Sequence, residues 1–253
     1  MNKFRIMTLT AGLLAGLTGI QQASAALALD RTRVIFPGGE NSVTVNIHNE
    51  NTALPYLAQA WVEDDKGNKI TSPLVVVPPL QRVEAGAATQ LQIKALPAAN
   101  ALPQDRESVF YFNLREIPPR SKEPNTLQLA LQTRIKLFYR PKPIQPTRAG
   151  MATPWQDSLT LLRQGTGYVV HNPTPYYISL VSAGAKNADP ARSKKFRPLM
   201  IAPQSSAPLD VSAGSLGAAP VLAYINDYGG TRVLTFSCQG SQCRVAGDDN
   251  FKN

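Results

Sequence analysis

From Leu127 to Tyr139 every second residue is leucine, leucine, leucine, threonine, isoleucine, leucine or tyrosine, with Gln128, Ala130, Gln132, Arg134, Lys136 and Phe138 between them. Period-two alternation of this kind predicts a β-strand with one apolar face. At about 3.3 Å per residue the run would span roughly 43 Å, whereas most strands hold about 5–6 residues. The chain is therefore predicted to carry a strand, about 126–140, longer than a single sheet needs. The face opposite its leucines bears Arg134, Lys136 and Arg140.

The same period recurs in shorter runs: 42–49 (SVTVNIHN), 56–64, 74–79, 88–96 and 108–117 (SVFYFNLREI), with a further one in the opening stretch. Turn residues separate them, as in Pro37-Gly38-Gly39, Asp65-Lys66-Gly67-Asn68 and Glu84-Ala85-Gly86. Many short strands with turn signals between them indicate a β-sandwich. After Arg140 the stretch PKPIQPTRAGMATP has four prolines in fourteen residues. Proline donates nothing to a ladder, so this reads as an elbow between domains. Strand patterns resume at 158–164, 167–172, 176–183, 196–203, 220–227 and 231–238, while 187–197 (NADPARSKKFR) and 211–220 read as loops. The expected fold class is all-β, with sandwich domains over 26–143 and 147–253.

Residues 1–25 are set aside from the fold. Lys3 and Arg5 precede a short apolar run, and Ala23-Ser24-Ala25 closes it, the pattern of a secretory signal peptide cleaved to leave Ala26 first. The run is too short for a membrane anchor, and no later segment is long and apolar enough to span a bilayer. Cleavage leaves 253 − 25 = 228 residues and removes Lys3 and Arg5, which takes the formal charge from +9 to +7. On an exported chain a basic balance points to acidic proteins or carboxylate groups rather than nucleic acid, with plain solubility the other reading of the charge. Cys238 and Cys243 are the two cysteines, four residues between them in FSCQGSQCRV, and an exported chain with that spacing suggests a disulfide clasping a hairpin.

Catalytic signals are weak. His48 and His171 are the two histidines, and neither has a serine or cysteine nucleophile in a recognisable setting. The chain has no phosphate-loop or H-E-x-x-H pattern and too few ligand types for a metal site, so no cofactor or metal is expected and the chain does not read as an enzyme.

The motifs LDRTRVIFPG (29–38), LPYLAQAWVED (54–64), LPQDRESVFYFNLREIPPRSKEPNTLQLALQTRIKLFYRP (102–141), TPWQDSLTL (153–161), HNPTPYYISL (171–180) and AYINDYGG (223–230) occur in this order. Together they closely resemble the PapD-like periplasmic pilus chaperones of the chaperone–usher pathway, along the whole chain after the leader. The resemblance implies two immunoglobulin-like domains set as a boomerang around a cleft. It implies a periplasmic protein whose clients are pilus subunits with an incomplete immunoglobulin fold, held one to one, capped by a donated strand and passed without ATP to an outer-membrane usher. Leu127, Leu129 and Leu131 match the family's donor residues, with Ile135, Leu137 and Tyr139 left to the chain's own core. Arg33 and Lys136 match the cleft pair that grips a subunit's C-terminal carboxylate. Glu107, Arg140 and Asp227 match an interdomain salt bridge. The short, cysteine-free connection IPPRSKEPN resembles the short-loop class.

Two other readings compete. A pilus subunit or adhesin would need an N-terminal extension of alternating apolar residues, but the sequence after the leader, ALALDRTR, enters a strand directly. A sandwich enzyme would need the missing triad or metal ligands. An apolar strand face left open on the free protein would also invite self-association.

Overall fold

The structure, a computed structural model, describes residues 25–147, 154–185 and 196–248. The leader up to residue 24, most of the 187–197 loop and residues 249–253 lie outside the described residues. The first half forms β1 (Leu27–Leu29), β2 (Arg33–Pro37), β3 (Ser42–Asn49), β4 (Tyr56–Glu63), β5 (Lys69–Ile70), β6 (Leu74–Val77), β7 (Leu80–Val83), β8 (Ala88–Ala95), β9 (Ser108–Ile117) and β10 (Gln132–Arg140). One sheet runs β1-β3-β8-β6 and the other β2-β10-β9-β4-β5, with β7 on β4.

Alternation decides which side chains lie between these sheets. Val45 and Ile47 of β3 and Leu91 and Ile93 of β8 face inward from one sheet, and Phe110, Phe112 and Leu114 of β9 and Ile135, Leu137 and Tyr139 of β10 from the other. Burying each such side chain contributes about 1.5–3 kcal/mol. Tyr139 also stacks on Phe36 of β2, ring centroids 5.9 Å apart.

The long strand is shorter than the alternation predicts: β10 starts at Gln132 rather than near 126. Strand backbone needs a neighbour to receive its hydrogen bonds, and residues 127–130 make no backbone ladder bond with any described residue. On one side β9 ends at Ile117 and gives way to Pro118 and Pro119, which have no N–H to offer. On the other side β2 begins only at Arg33, opposite Lys136. A single bond, Glu116 N to Leu131 O at 3.0 Å, extends the ladder beyond Gln132.

The second half forms β11 (Thr160–Gln164), β12 (Gly167–Asn172), β13 (Ile178–Ala185), β14 (Leu199–Ile201), β15 (Ser205–Ser212), β16 (Pro220–Ile225), β17 (Thr231–Gln239) and β18 (Gln242–Asp248). They hydrogen-bond in one path, β14-β13-β16-β17-β18-β11-β12-β15, around a core that includes Leu161, Val170, Leu180, Leu222 and Phe236. Register shifts within the β13–β16, β17–β18 and β12–β15 pairs are bulges of the kind that bend strands and let one ladder fold over on itself. Cys238 and Cys243 oppose each other across the β17–β18 hairpin and are joined by a disulfide. The expected loop 211–220 instead contains the end of β15 and a helical turn, Ala213–Leu216, capped by the Ser212 hydroxyl, which accepts from Ser215 N. β15 alternates weakly: Ala207, Leu209 and Val211 turn to the core and Ser206, Pro208 and Asp210 away, but Pro208 and the three serines mask the strand signal.

Candidate functional site

Because side chains of a strand alternate, β10 serves two surfaces. Ile135, Leu137 and Tyr139 enter the first core, so Lys136, Phe138 and Arg140 face the second domain. Between the domains lies a cleft of about 740 Å³, whose lining includes Arg31, Arg33, Arg140, Trp155, Asp227 and Tyr228.

Arg140, at the elbow, is enclosed by opposite charge. Its guanidinium approaches Glu107 Oε1 through Nη2 at 2.7 Å and Nε at 2.8 Å, and Asp227 Oδ2 through Nη1 at 2.8 Å. Glu107 immediately precedes β9 and Asp227 lies in the turn after β16, so the ions tie the two domains together. Glu107 Oε2 also accepts from Tyr177 N at 2.7 Å, and Glu107 N donates to Pro175 O at 2.9 Å. The rings of Tyr176 and Trp155 lie 4.9 and 5.2 Å from the guanidinium carbon, within cation–π range. Burial opposes the Arg140 charge, but its bonds and attraction to Asp227 and Glu107 outweigh burial and hold its pKa above the ordinary arginine value.

Arg33 and Lys136 have different company. They are register partners on the parallel strands β2 and β10, and neighbouring strands lie about 4.7–4.9 Å apart. Lys136 Nζ donates to Ser179 Oγ at 2.7 Å, and Arg33 Nη1 to the Ile225 carbonyl at 3.0 Å, both groups of the second domain. Arg33 Nε is buried without a hydrogen-bond partner. No carboxylate among the described residues forms an ion pair with either cation. Burial, then repulsion from Arg33, draws the Lys136 pKa down to about 8. Burial also lowers the Arg33 pKa, against the attraction of Asp227 and Glu107. Two half-buried cations with neutral partners and a spare donor make a site for an anion, and a carboxylate could accept from both.

The three leucines lie apart from these ions, just before β10. Leu127 is 82% exposed, Leu129 62% and Leu131 38%. The strand's other charged residue, Arg134, is engaged elsewhere: its Nε binds Glu63 Oε2 at 2.7 Å, and its guanidinium carbon lies 3.4 Å from the Tyr111 ring centroid.

Sequence reasoning gave no role to Ser179, Tyr177, Tyr176 or Trp155. All four lie in two of the quoted motifs, TPWQDSLTL and HNPTPYYISL. Tyr177 and Ser179 share a parity opposite the core-facing Ile178 and Leu180, a signal that could have turned them toward the cleft. His48 and His171 are exposed, contacting Glu50 and Ser206.

Comparison with known proteins agrees along the chain. Residues 26–145 match the pili and flagellar-assembly chaperone, PapD N-terminal domain, and residues 154–236 match the pili assembly chaperone PapD, C-terminal domain. The chain is 47% identical over 249 residues to the probable fimbrial chaperone YfcS of Escherichia coli K12, covering 98% of this chain and 96% of that one. It is 49% identical over 227 residues to the chaperone protein PapD of Escherichia coli, covering 89% and 92%. The crystal structure of the Pseudomonas aeruginosa CupB2 chaperone superposes with a TM-score of 0.66 at 31% identity, over 87% of this chain and 100% of that one.

Proposed function

This chain belongs to the PapD family of fimbrial chaperones of the chaperone–usher pathway, and from that premise we propose that it captures pilus subunits in the periplasm, one to one. It does so by gripping the subunit's C-terminal carboxylate with Arg33 and Lys136 while lending residues 127–131 to the subunit's incomplete sheet. The subunit then passes to an outer-membrane usher without ATP.

The observation that carries this reading is the free edge of β10 and where it stops. From 127 to 135 the strand and its approach pair with no described strand on the side away from β9, and this free edge ends where Arg33 of β2 begins opposite Lys136. A client strand that fills this edge and runs parallel to β10, as β2 does, delivers its last residue to the two cations. Strand addition of this kind, for which chaperone–pilin complexes are a known instance, takes affinity from main-chain bonds and specificity from alternate side chains. Leu127, Leu129 and Leu131, all exposed on the free chain, are those side chains. The carboxylate fixes register, and a slip by one residue would turn the leucines away from the groove.

The experiment compares binding of a synthetic peptide from the C terminus of a subunit, as free acid and as amide, to wild type, Arg33→Ala and Lys136→Ala. Each charge-assisted bond contributes roughly 1.5–3 kcal/mol, so the free acid should bind wild type at least about tenfold more tightly than the amide. Either variant should erase most of that preference while keeping its fold. Equal binding of acid and amide to wild type would remove the anchor from this reading.

A further inference from the structure

Glu116 breaks the pattern of its own strand. Along β9, Phe110, Phe112 and Leu114 point into the core, and Glu116 continues that parity at the strand's end with only 6% of its surface exposed. Its Oε2 accepts a hydrogen bond from Leu27 N of β1 at 2.9 Å. Among the described residues no lysine, arginine or histidine side chain comes within ion-pair distance of it. A carboxylate held in such a place with one neutral donor is costly, and buried charges are ordinarily paired. The nearest charges on β3 and just beyond it, His48 and Glu50, pair with each other at 3.0 Å and are largely exposed.

The missing cation has an evident source. The main-chain nitrogen preceding that of Leu27 belongs to Ala26, a buried residue whose carbonyl accepts from Glu50 N at 2.7 Å. Cleavage of the leader after Ala25 would make this nitrogen the chain's first. We propose that removal of the leader creates an ion pair between the α-ammonium of Ala26 and the Glu116 carboxylate, locking β1 into the sandwich only in the processed chain. The covalent step is peptidase-catalysed hydrolysis. Water adds across the Ala25–Ala26 amide, the new carboxylate departs with the leader, and the amine left on Ala26 is protonated at neutral pH. In the precursor the same nitrogen is an uncharged amide and Glu116 keeps its single donor. The precursor's β1 is therefore held less firmly, which suits a chain still to be exported. The inference rests on cleavage after Ala25 and is independent of subunit capture.

The test uses the exported protein, its start verified by intact mass, beside the same chain with Ala25 retained and the disulfide formed. Both are made with Glu116 and with Glu116→Gln. Urea unfolding and hydrogen exchange at Leu27 N are the readouts. With Glu116 present, retaining Ala25 should raise the unfolding equilibrium constant and Leu27 exchange by roughly tenfold; in the Glu116→Gln background it should change them less than about twofold. Equal effects in both backgrounds, no effect in either, or an exported chain that starts elsewhere would overturn the proposal. If Glu116→Gln does not fold, titration of the Ala26 α-amine by NMR decides. A pKa above the ordinary range of about 7.7–8.0 supports the ion pair, and one within or below that range rejects it.

Discussion

Lys136 and Arg140 project from the same face of β10 toward the second domain, yet one is left open and the other enclosed. Arg140 has two carboxylates within 2.8 Å and two aromatic rings beside it. Lys136 has a hydroxyl and a neighbouring cation. An enclosed ion can fix geometry, because its partners are part of the fold. An open one keeps its attraction for something that arrives later. Both kinds of site follow from strand parity, and what distinguishes them is which residues the second domain brings across.

The largest expected effect comes from breaking the enclosed site. Arg140→Ala leaves Glu107, 3% exposed, without its cation, and removing one partner of a buried pair costs about 3–5 kcal/mol. Urea denaturation should register this loss, and small-angle scattering should show a broader spread of domain orientations. Lys136→Ala should instead move stability by less than about 1 kcal/mol, since burial and Arg33 already disfavour the lysine's charge. A similar large loss from both substitutions would erase the distinction.

A second contrast lies along the alternation itself. Leu137 is fully buried and Leu129 is 62% exposed. Leu137→Ala should therefore cost about 2–5 kcal/mol, while Leu129→Ala should stay within about 0.5 kcal/mol and lower the affinity for subunits. Thermal unfolding and subunit co-purification read the two effects separately. If Leu129→Ala destabilised the free chain as much as Leu137→Ala, the leucines of 127–131 would belong to its own core.

These two leucines also mark how far the sequence could be read. Both occupy the same parity, so period two puts both on one apolar face, and nothing local tells the buried one from the exposed one. The difference comes from neighbours distant in the chain: where β9 ends and where β2 begins. The same holds in the cleft. That Arg33, Lys136 and Arg140 matter was legible from motifs, but Ser179 and Ile225, the partners of Lys136 and Arg33, belong to the other domain, and no spacing reports a contact across an elbow. β15 was missed because its proline and serines mask the alternation of Ala207, Leu209 and Val211, only one of which is a large apolar side chain. The parity of β9 could have exposed Glu116 as a carboxylate on a core face, since Phe110, Phe112 and Leu114 set the pattern before it.

The smallest effect is a pH dependence that belongs to the open site alone. The Lys136 pKa of about 8 lies below its ordinary 10.5. Between these values the unfolded chain binds more protons than the folded one, so this residue's contribution to stability rises with pH across the window and is flat below about 8. Lys136 is only partly buried, and solvent screening keeps the gain small, under about 1 kcal/mol. Other lysines and tyrosines titrate in the same range, so the measurement is the difference in urea unfolding between wild type and Lys136→Met from pH 7 to 10.5. Capture should show the opposite trend. As pH rises through 8 the free lysine loses the charge that a carboxylate needs, and binding must then take up a proton. Affinity for the free-acid peptide should fall from pH 7 to 9 in wild type and stay level in Lys136→Met. A wild-type affinity that did not change with pH would mean that the lysine keeps its charge throughout, and that the cleft is wetter than its lining suggests.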